Sequence, residues 1–231
     1  MEQNNEGFQP LDIASGLGHV EIVKELLLVW NTTTSSRSEI CRLKGRDGRT
    51  SIHYAVVHDK IDVMNEVISF SAEFVKDLTD FEETTLHLAV KYYRFEVFKK
   101  LVEWLEKLGL EEIVNWVDRD GNTILHLAVS RKQHGIVEFL LNNNNIFSTL
   151  KLNERNSKGL TPMELMDLVM ENPSDVQLHE ILRLAGVVRG RDINTTNTIS
   201  SSSPPLQHCS DWNHSQEQDQ KNIAAMEDKE N

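Results

Sequence analysis

No stretch of this 231-residue sequence is apolar for the ~20 residues that crossing a bilayer requires. The longest candidate, Ile22 to Trp30, is broken by Lys24 and Glu25. The N-terminus, MEQNNEGFQPL, has neither a cationic segment nor an apolar core, so no secretory signal is expected. Cysteine is scarce: Cys41 and Cys209 cannot staple a chain of this size, and a reducing, cytoplasmic setting is the expectation. Basic residues are the minority, 24 against 36 acidic ones for a net charge of −12, which disfavours a partner bound through its phosphates, DNA or RNA. Glycines do not assemble into a phosphate loop either. Gly16-Leu17-Gly18 follows a helical pattern rather than a strand and lacks a third glycine. With no nucleophile elbow and no base beside a buried acid, no catalytic residue, cofactor site or enzymatic activity is expected.

What the sequence has instead is recurrence. Asp118 to Leu141, DRDGNTILHLAVSRKQHGIVEFLL, reads as a tight turn at Asp120-Gly121, a short helix opening at Thr123, a break near Lys132 and a second amphipathic helix. The same pattern restarts at Gln9, Thr50 and Thr84, and in decayed form at Thr161, in steps of 41, 34, 39 and 38 residues. A plain ankyrin unit is roughly 33 residues, so the surplus sits in the connections. The predicted fold is an all-α ankyrin solenoid over 9–188, with repeats at about 9–30, 46–70, 80–105, 119–142 and a degenerate one at 157–186. Residues 1–8 and 189–231 are too polar to repay their ordering and are predicted to be disordered.

Within the repeats, Ile52, Ala55 and Val56 give one inner helix its buried stripe. Thr50, Thr84 and Thr123 are placed to cap the inner helices. His53, His87 and His126 share one repeat position; stacked repeats keep equivalent residues about 10 Å apart, so they are read as backbone-bonding imidazoles, with no metal site. His208, Cys209 and His214 lack a fourth ligand and support no metal site. Glu82 replaces the turn glycine of the third repeat and predicts a more open turn there. NNNN after Leu141 predicts a helix stop followed by a connection over 146–158.

In an ankyrin stack the turns and inner helices line the concave side, so polar and aromatic residues there are the candidate protein-binding surface. The turns supply Arg46, Asp47, Arg49, then Asp80, Phe81, Glu83, then Arg119, Asp120, Asn122. Ends of the inner helices supply Val57, His58, Lys91, Tyr92, Ser130 and Arg131, and the aromatic Phe81, Tyr92 and Tyr93 are the best anchors.

FEVFKKLVEWLEKL, IVNWVDRDGNTILHLAVSRKQHGIVEFLL, the Asn-rich run, GLTPMELMD and LHEILRLAGVV resemble the plant membrane-associated ankyrin-repeat family, with greatest specificity over 84–190. In that family cytosolic repeats are tethered by a C-terminal block of four membrane spans, the PGG domain, and members act in immune and cell-death signalling. The resemblance implies a protein-interaction scaffold in plant defence or stress signalling. This chain departs from the pattern in having fewer repeats and no membrane block. Two alternatives follow: a peripheral component at the inner face of the plasma membrane that assembles with membrane-bound relatives, or a truncated relative competing for their partners.

Overall fold

The computed structural model describes residues 7–33 and 44–193, without the side chains of 30–33. The readings made for 1–6, for Cys41, and for 194–231 with His208, Cys209 and His214 lie outside the described residues. Among those described every regular element is helical. Inner and outer helices alternate: α1 Pro10–Leu17 with α2 Val20–Thr33, α3 Ser51–Val57 with α4 Ile61–Phe70, and α5 Thr85–Lys91 with α6 Phe95–Leu108. α7 Ile124–Ser130 pairs with α8 His134–Asn142, and after the extra α9 Asn144–Thr149 the last pair is α10 Pro162–Val169 with α11 Pro173–Leu184. The inner helices stack in the order α1, α3, α5, α7, α10, while α2 lies on α4 and α6 on α8.

Helices this short are not stable alone; they persist because their apolar stripes interlock. Ile52, Leu86, Leu88, Ile124 and Leu125 of the inner row and Met64, Phe98, Leu101 and Ile136 of the outer row are sealed from water. The polar ends are equally settled. The hydroxyls of Thr84 and Thr123 accept the main-chain N–H of His87 and His126 at 3.2 and 3.5 Å. Each histidine returns a bond: Nδ1 of His53, His87 and His126 accepts the N–H of Thr50, Thr84 and Thr123 at 3.0, 3.3 and 3.2 Å. Nδ1 being the acceptor, the proton sits on Nε2. That N–H donates to the carbonyl of Asp77, Asn122 or Leu160 in the segment leading to the next repeat, at 3.2, 3.0 and 3.1 Å. Burial holds all three imidazoles neutral, lowering their pKa values, that of His53 to about 3. Both ring nitrogens are committed, as a structural reading of these residues requires.

The break between inner and outer helix needs one left-handed residue, and the same repeat position supplies it each time: Gly18, Asp59, Tyr93 and Lys132, with φ of 86°, 60°, 58° and 53°. The turn ahead of each Thr, here called a finger, also needs one. Gly48, Gly121 and Gly159 provide it at φ of 67°, 74° and 75°, and Glu82 does so at 60°. The expected opening of the third finger is therefore corrected: Glu82 accepts the strain, and its N–H reaches the Thr79 carbonyl at 3.0 Å. Thr79 explains how, because its hydroxyl accepts the N–H of both Phe81 and Glu83 at 3.2 Å and closes the turn from its base.

The surplus residues between repeats are structured. They form 3₁₀ turns at Ala72–Lys76 and Glu111–Asn115 that drive Phe74, Val75, Ile113 and Val114 into the core. After the third gap comes α9: Asn143 stops α8 and at once caps the next helix, its side chain accepting the N–H of Asn145 and Ile146, each at 3.1 Å. The asparagine run is thus a restart as well as a stop, and Ile146 is fully buried by it. At the far end order continues past 189, the expected start of the tail. Gly190–Asp192 is a 3₁₀ turn, Arg155 donates to the Gly190 carbonyl at 2.7 Å, and Arg189 pairs with Asp167 at 2.6 Å.

Candidate functional site

Consecutive fingers are tied by the main chain, which fixes their spacing. Asp80 N–H donates to Asp47 O at 3.0 Å, Arg119 N–H to Phe81 O at 3.0 Å, and Ser157 N–H to Asp120 O at 2.9 Å. Gly48 permits the first of these contacts, since a Cβ there would stand 2.1 Å from Oδ1 of Asp80. Each finger is also closed on itself, as Thr79 N–H to Glu83 O and Asp118 N–H to Asn122 O show, at 3.1 and 3.0 Å. Side chains carried on so stiff a frame are positioned before any partner arrives, which lowers the ordering cost of binding.

Six of the fifteen candidate residues, Arg49, Phe81, Lys91, Tyr92, Arg119 and Arg131, come together across three repeats. Arg49 of the second repeat donates to the hydroxyl of Tyr92 in the third at 2.8 Å and lies 5.6 Å from its ring centre. Beside Tyr92, Lys91 pairs with Glu83 and stands 5.7 Å from the ring centre of Phe81. Arg119 of the fourth repeat stands 5.4 Å from the same ring and donates to the Asp80 carbonyl. Arg131 reaches back to the Lys91 carbonyl at 3.3 Å. Phe81 remains 44% exposed between its two cations, so the cluster presents an accessible aromatic face.

The other candidates take different places. Arg46, Asp47, Asp80 and Asp120 are exposed on the fingers, and His58 is exposed at the end of its inner helix. Val57 and Glu83 are buried and belong to the floor, not to the contact surface. Asn122 is committed inside the fingers, donating to Asp118 at 3.2 Å and accepting from Asn156 at 2.9 Å. Ser130 caps its own helix by donating to the Leu127 carbonyl at 3.0 Å. Two residues that sequence reasoning passed over complete this side. Arg94 donates to the Val57 carbonyl at 3.0 Å, and Lys132 pairs with the buried carboxylate of Asp175 at 2.9 Å. Their signal is positional: both lie at the break between inner and outer helix, where a long cation reaches a neighbouring repeat. Glu171 and Asn172 N–H groups and Lys132 hold the Asp175 carboxyl at about 2, below the ordinary carboxylate range. Among the described residues no group of three His, Cys, Asp or Glu side chains could hold a metal ion.

The repeat register, the Thr and His pairs and the linked fingers agree with the match of residues 52–153 to the family model for ankyrin repeats in three copies. The chain carries ankyrin repeats. Over 155 residues it is 29% identical to the NF-kappa-B p105 subunit of Rattus norvegicus, covering 65% of this chain and 14% of that protein. To the Neurogenic locus Notch protein of Drosophila melanogaster it is 31% identical over 103 residues, covering 45% of this chain and 3% of the other. The chain thus spans a small part of the length of these relatives. One chain of the complex between a predatory endopeptidase of Bdellovibrio bacteriovorus and an immunity protein superposes with a TM-score of 0.58 at 21% identity, covering 79% of this chain and 83% of that one. That likeness shows the fold alone. Ankyrin repeats indicate a protein-interaction scaffold, and no helix among the described residues is long and apolar enough to cross a membrane.

Proposed function

We propose that the chain binds a partner protein on the side formed by its fingers and the ends of its inner helices. The observation that supports this most is the cluster of Arg49, Phe81, Lys91, Tyr92 and Arg119. Its two aromatic rings and three cations come from three repeats: Arg49 contacts Tyr92, Lys91 and Arg119 contact Phe81, and Lys91 and Tyr92 are neighbours in the chain. Aromatic and arginine side chains dominate binding energy at protein interfaces, and a rigid frame keeps them from losing entropy on contact. The setting implied by the resemblance over 84–190 is plant defence or stress signalling, with membrane-bound relatives as candidate partners and the cytoplasmic face of a membrane as the place of assembly.

The test is capture of partners from plant lysate by the wild-type chain beside a Phe81→Ala/Tyr92→Ala variant, with equal helicity of the two verified by circular dichroism. Loss of a captured protein from the folded variant supports the reading. Capture of the same proteins by both forms places the binding surface elsewhere and overturns it.

A further inference from the structure

The finger cluster carries a charge opposite to that of the chain. Arg49, Lys91, Arg119 and Arg131 form a connected cationic group around Phe81 and Tyr92, and the carboxylate within it is that of Glu83. Glu83 is buried and already engaged, by Lys91 on one oxygen and by the Thr79 hydroxyl on the other at 3.3 Å. The three arginines contact a tyrosine hydroxyl or main-chain carbonyls; among the described residues none of them is ion-paired. A guanidinium has five N–H donors, so each arginine retains most of its capacity, and the Nε of Arg49 is buried without a partner. In a protein of net charge −12, such a group is a local reversal of sign.

We infer that this cluster recognises an extended acidic segment of a partner protein. Its carboxylates lie on Arg49, Arg119 and Arg131, and an aromatic or aliphatic side chain packs between Phe81 and Tyr92. The inference rests on the reading of this side as the partner site and adds the chemistry of what it takes. Guanidinium forks match carboxylates in a bidentate fashion, and a ring flanked by cations accepts an apolar group without burying a charge. Asp47, Asp80 and Asp120 on the fingers are exposed, and they repel an acidic chain. The segment therefore follows the inner-helix ends, across the repeats, and meets the fingers at Phe81 and Arg119.

Fluorescence anisotropy with the full chain and a fluorescein-labelled peptide of sequence Glu-Glu-Phe-Glu-Glu-Phe-Glu-Glu tests this, beside the same peptide with glutamine for every glutamate. Three part-exposed ion pairs predict about tenfold tighter binding of the acidic peptide at low salt, a preference that shrinks as salt is raised. Arg49→Gln/Arg131→Gln, checked for folding by its urea midpoint, is expected to lose most of that preference. Should the double variant not fold, Arg119→Gln replaces it, on an exposed side chain, with an expected loss of about two- to threefold. Equal binding of the two peptides by the wild type, or an undiminished preference in a folded variant, overturns the inference. If the lysate capture depends on Phe81 and Tyr92 while the acidic peptide is not preferred, the inference fails and the partner site stands; if neither holds, both fail.

Discussion

The first repeat and the three middle ones are built to one pattern, yet water reaches the first where it is excluded from the others. Ile22 is 49% exposed, while Val63, Val97 and Ile136 at the same repeat position are 0%, 0% and 1% exposed. Ile13 is 42% exposed against 0% for Leu88. A repeat in a solenoid is covered on each side by a neighbour, and the first described repeat is covered on one side only. The polar anchor differs as well. Where the middle repeats have His53, His87 and His126, the first has Asp12, whose Oδ2 accepts the N–H of Gln9 at 3.0 Å. A carboxylate can close the cap in this way, but it has no N–H to donate toward the next repeat. Local capping and the link between repeats are thus separable, and the histidine is what joins them.

The largest effects expected come from burial. Ile136→Ala should cost about 3 kcal/mol, as deletion of a sealed isoleucine leaves a cavity, whereas Ile22→Ala should cost less than about 1 kcal/mol. Urea denaturation of the two variants measures the difference, and equal losses would break the comparison. His87→Ala comes next, at about 2–3 kcal/mol, because it strands the buried Thr84 N–H and breaks the bond to the Asn122 carbonyl that links two repeats. Asp12→Ala should cost less, since it breaks a cap and no bond between repeats.

Acidification sharpens the same contrast, because the two anchors titrate in opposite senses. The buried histidines have pKa values below the ordinary ~6.5, so as pH falls below that value the unfolded chain gains protons the folded one refuses, and stability is lost. For His53, with a folded value of about 3, the loss by pH 5 is on the order of 2 kcal/mol. Asp12 is pushed up by burial to about 6, above its ordinary 3.8, so the folded chain takes its proton first and falling pH through this window favours folding. The wild type should therefore be less stable at pH 5 than at pH 7, and Asp12→Asn should make the decline steeper by removing the opposing contribution. Urea midpoints measured from pH 7.5 to 4.5 check both. The smallest effect expected is a gain: Glu82→Gly relieves a left-handed residue at φ 60° and should stabilise by about 1 kcal/mol, read in the same assay.

Much of this frame is legible in the sequence, for reasons that can be named. A Thr and a His three residues apart, followed by an apolar stripe and a break, mark a capped short helix three times over, with Gln9 and Asp12 of the first repeat and Glu164 of the last out of type. Fingers are legible at Gly48 and Gly121, where a glycine marks positive φ, and misread at Glu82, where the strain is borne by a residue that carries no such signal. The 3₁₀ turn at Phe74–Val75 is too short to show a period, so its role as a core-filler emerges only with packing. α9 was hidden by an asparagine run that reads equally as an end and as a cap. Of the candidate surface, the finger and helix-end positions follow from the repeat register. The joining of Arg49 to Tyr92 and of Lys91 and Arg119 to Phe81 depends on side-chain reach across repeats, which no linear pattern encodes.

The central claim, that partners meet the fingers and inner-helix ends, is tested most directly by hydrogen exchange of the chain with and without a captured partner. The account predicts slowed exchange in the fingers at 79–83 and 118–122 and at the ends of α5 and α7, with the outer helices α4, α6 and α8 unchanged. Protection confined to those outer helices, with the fingers exchanging as in the unbound chain, would contradict it.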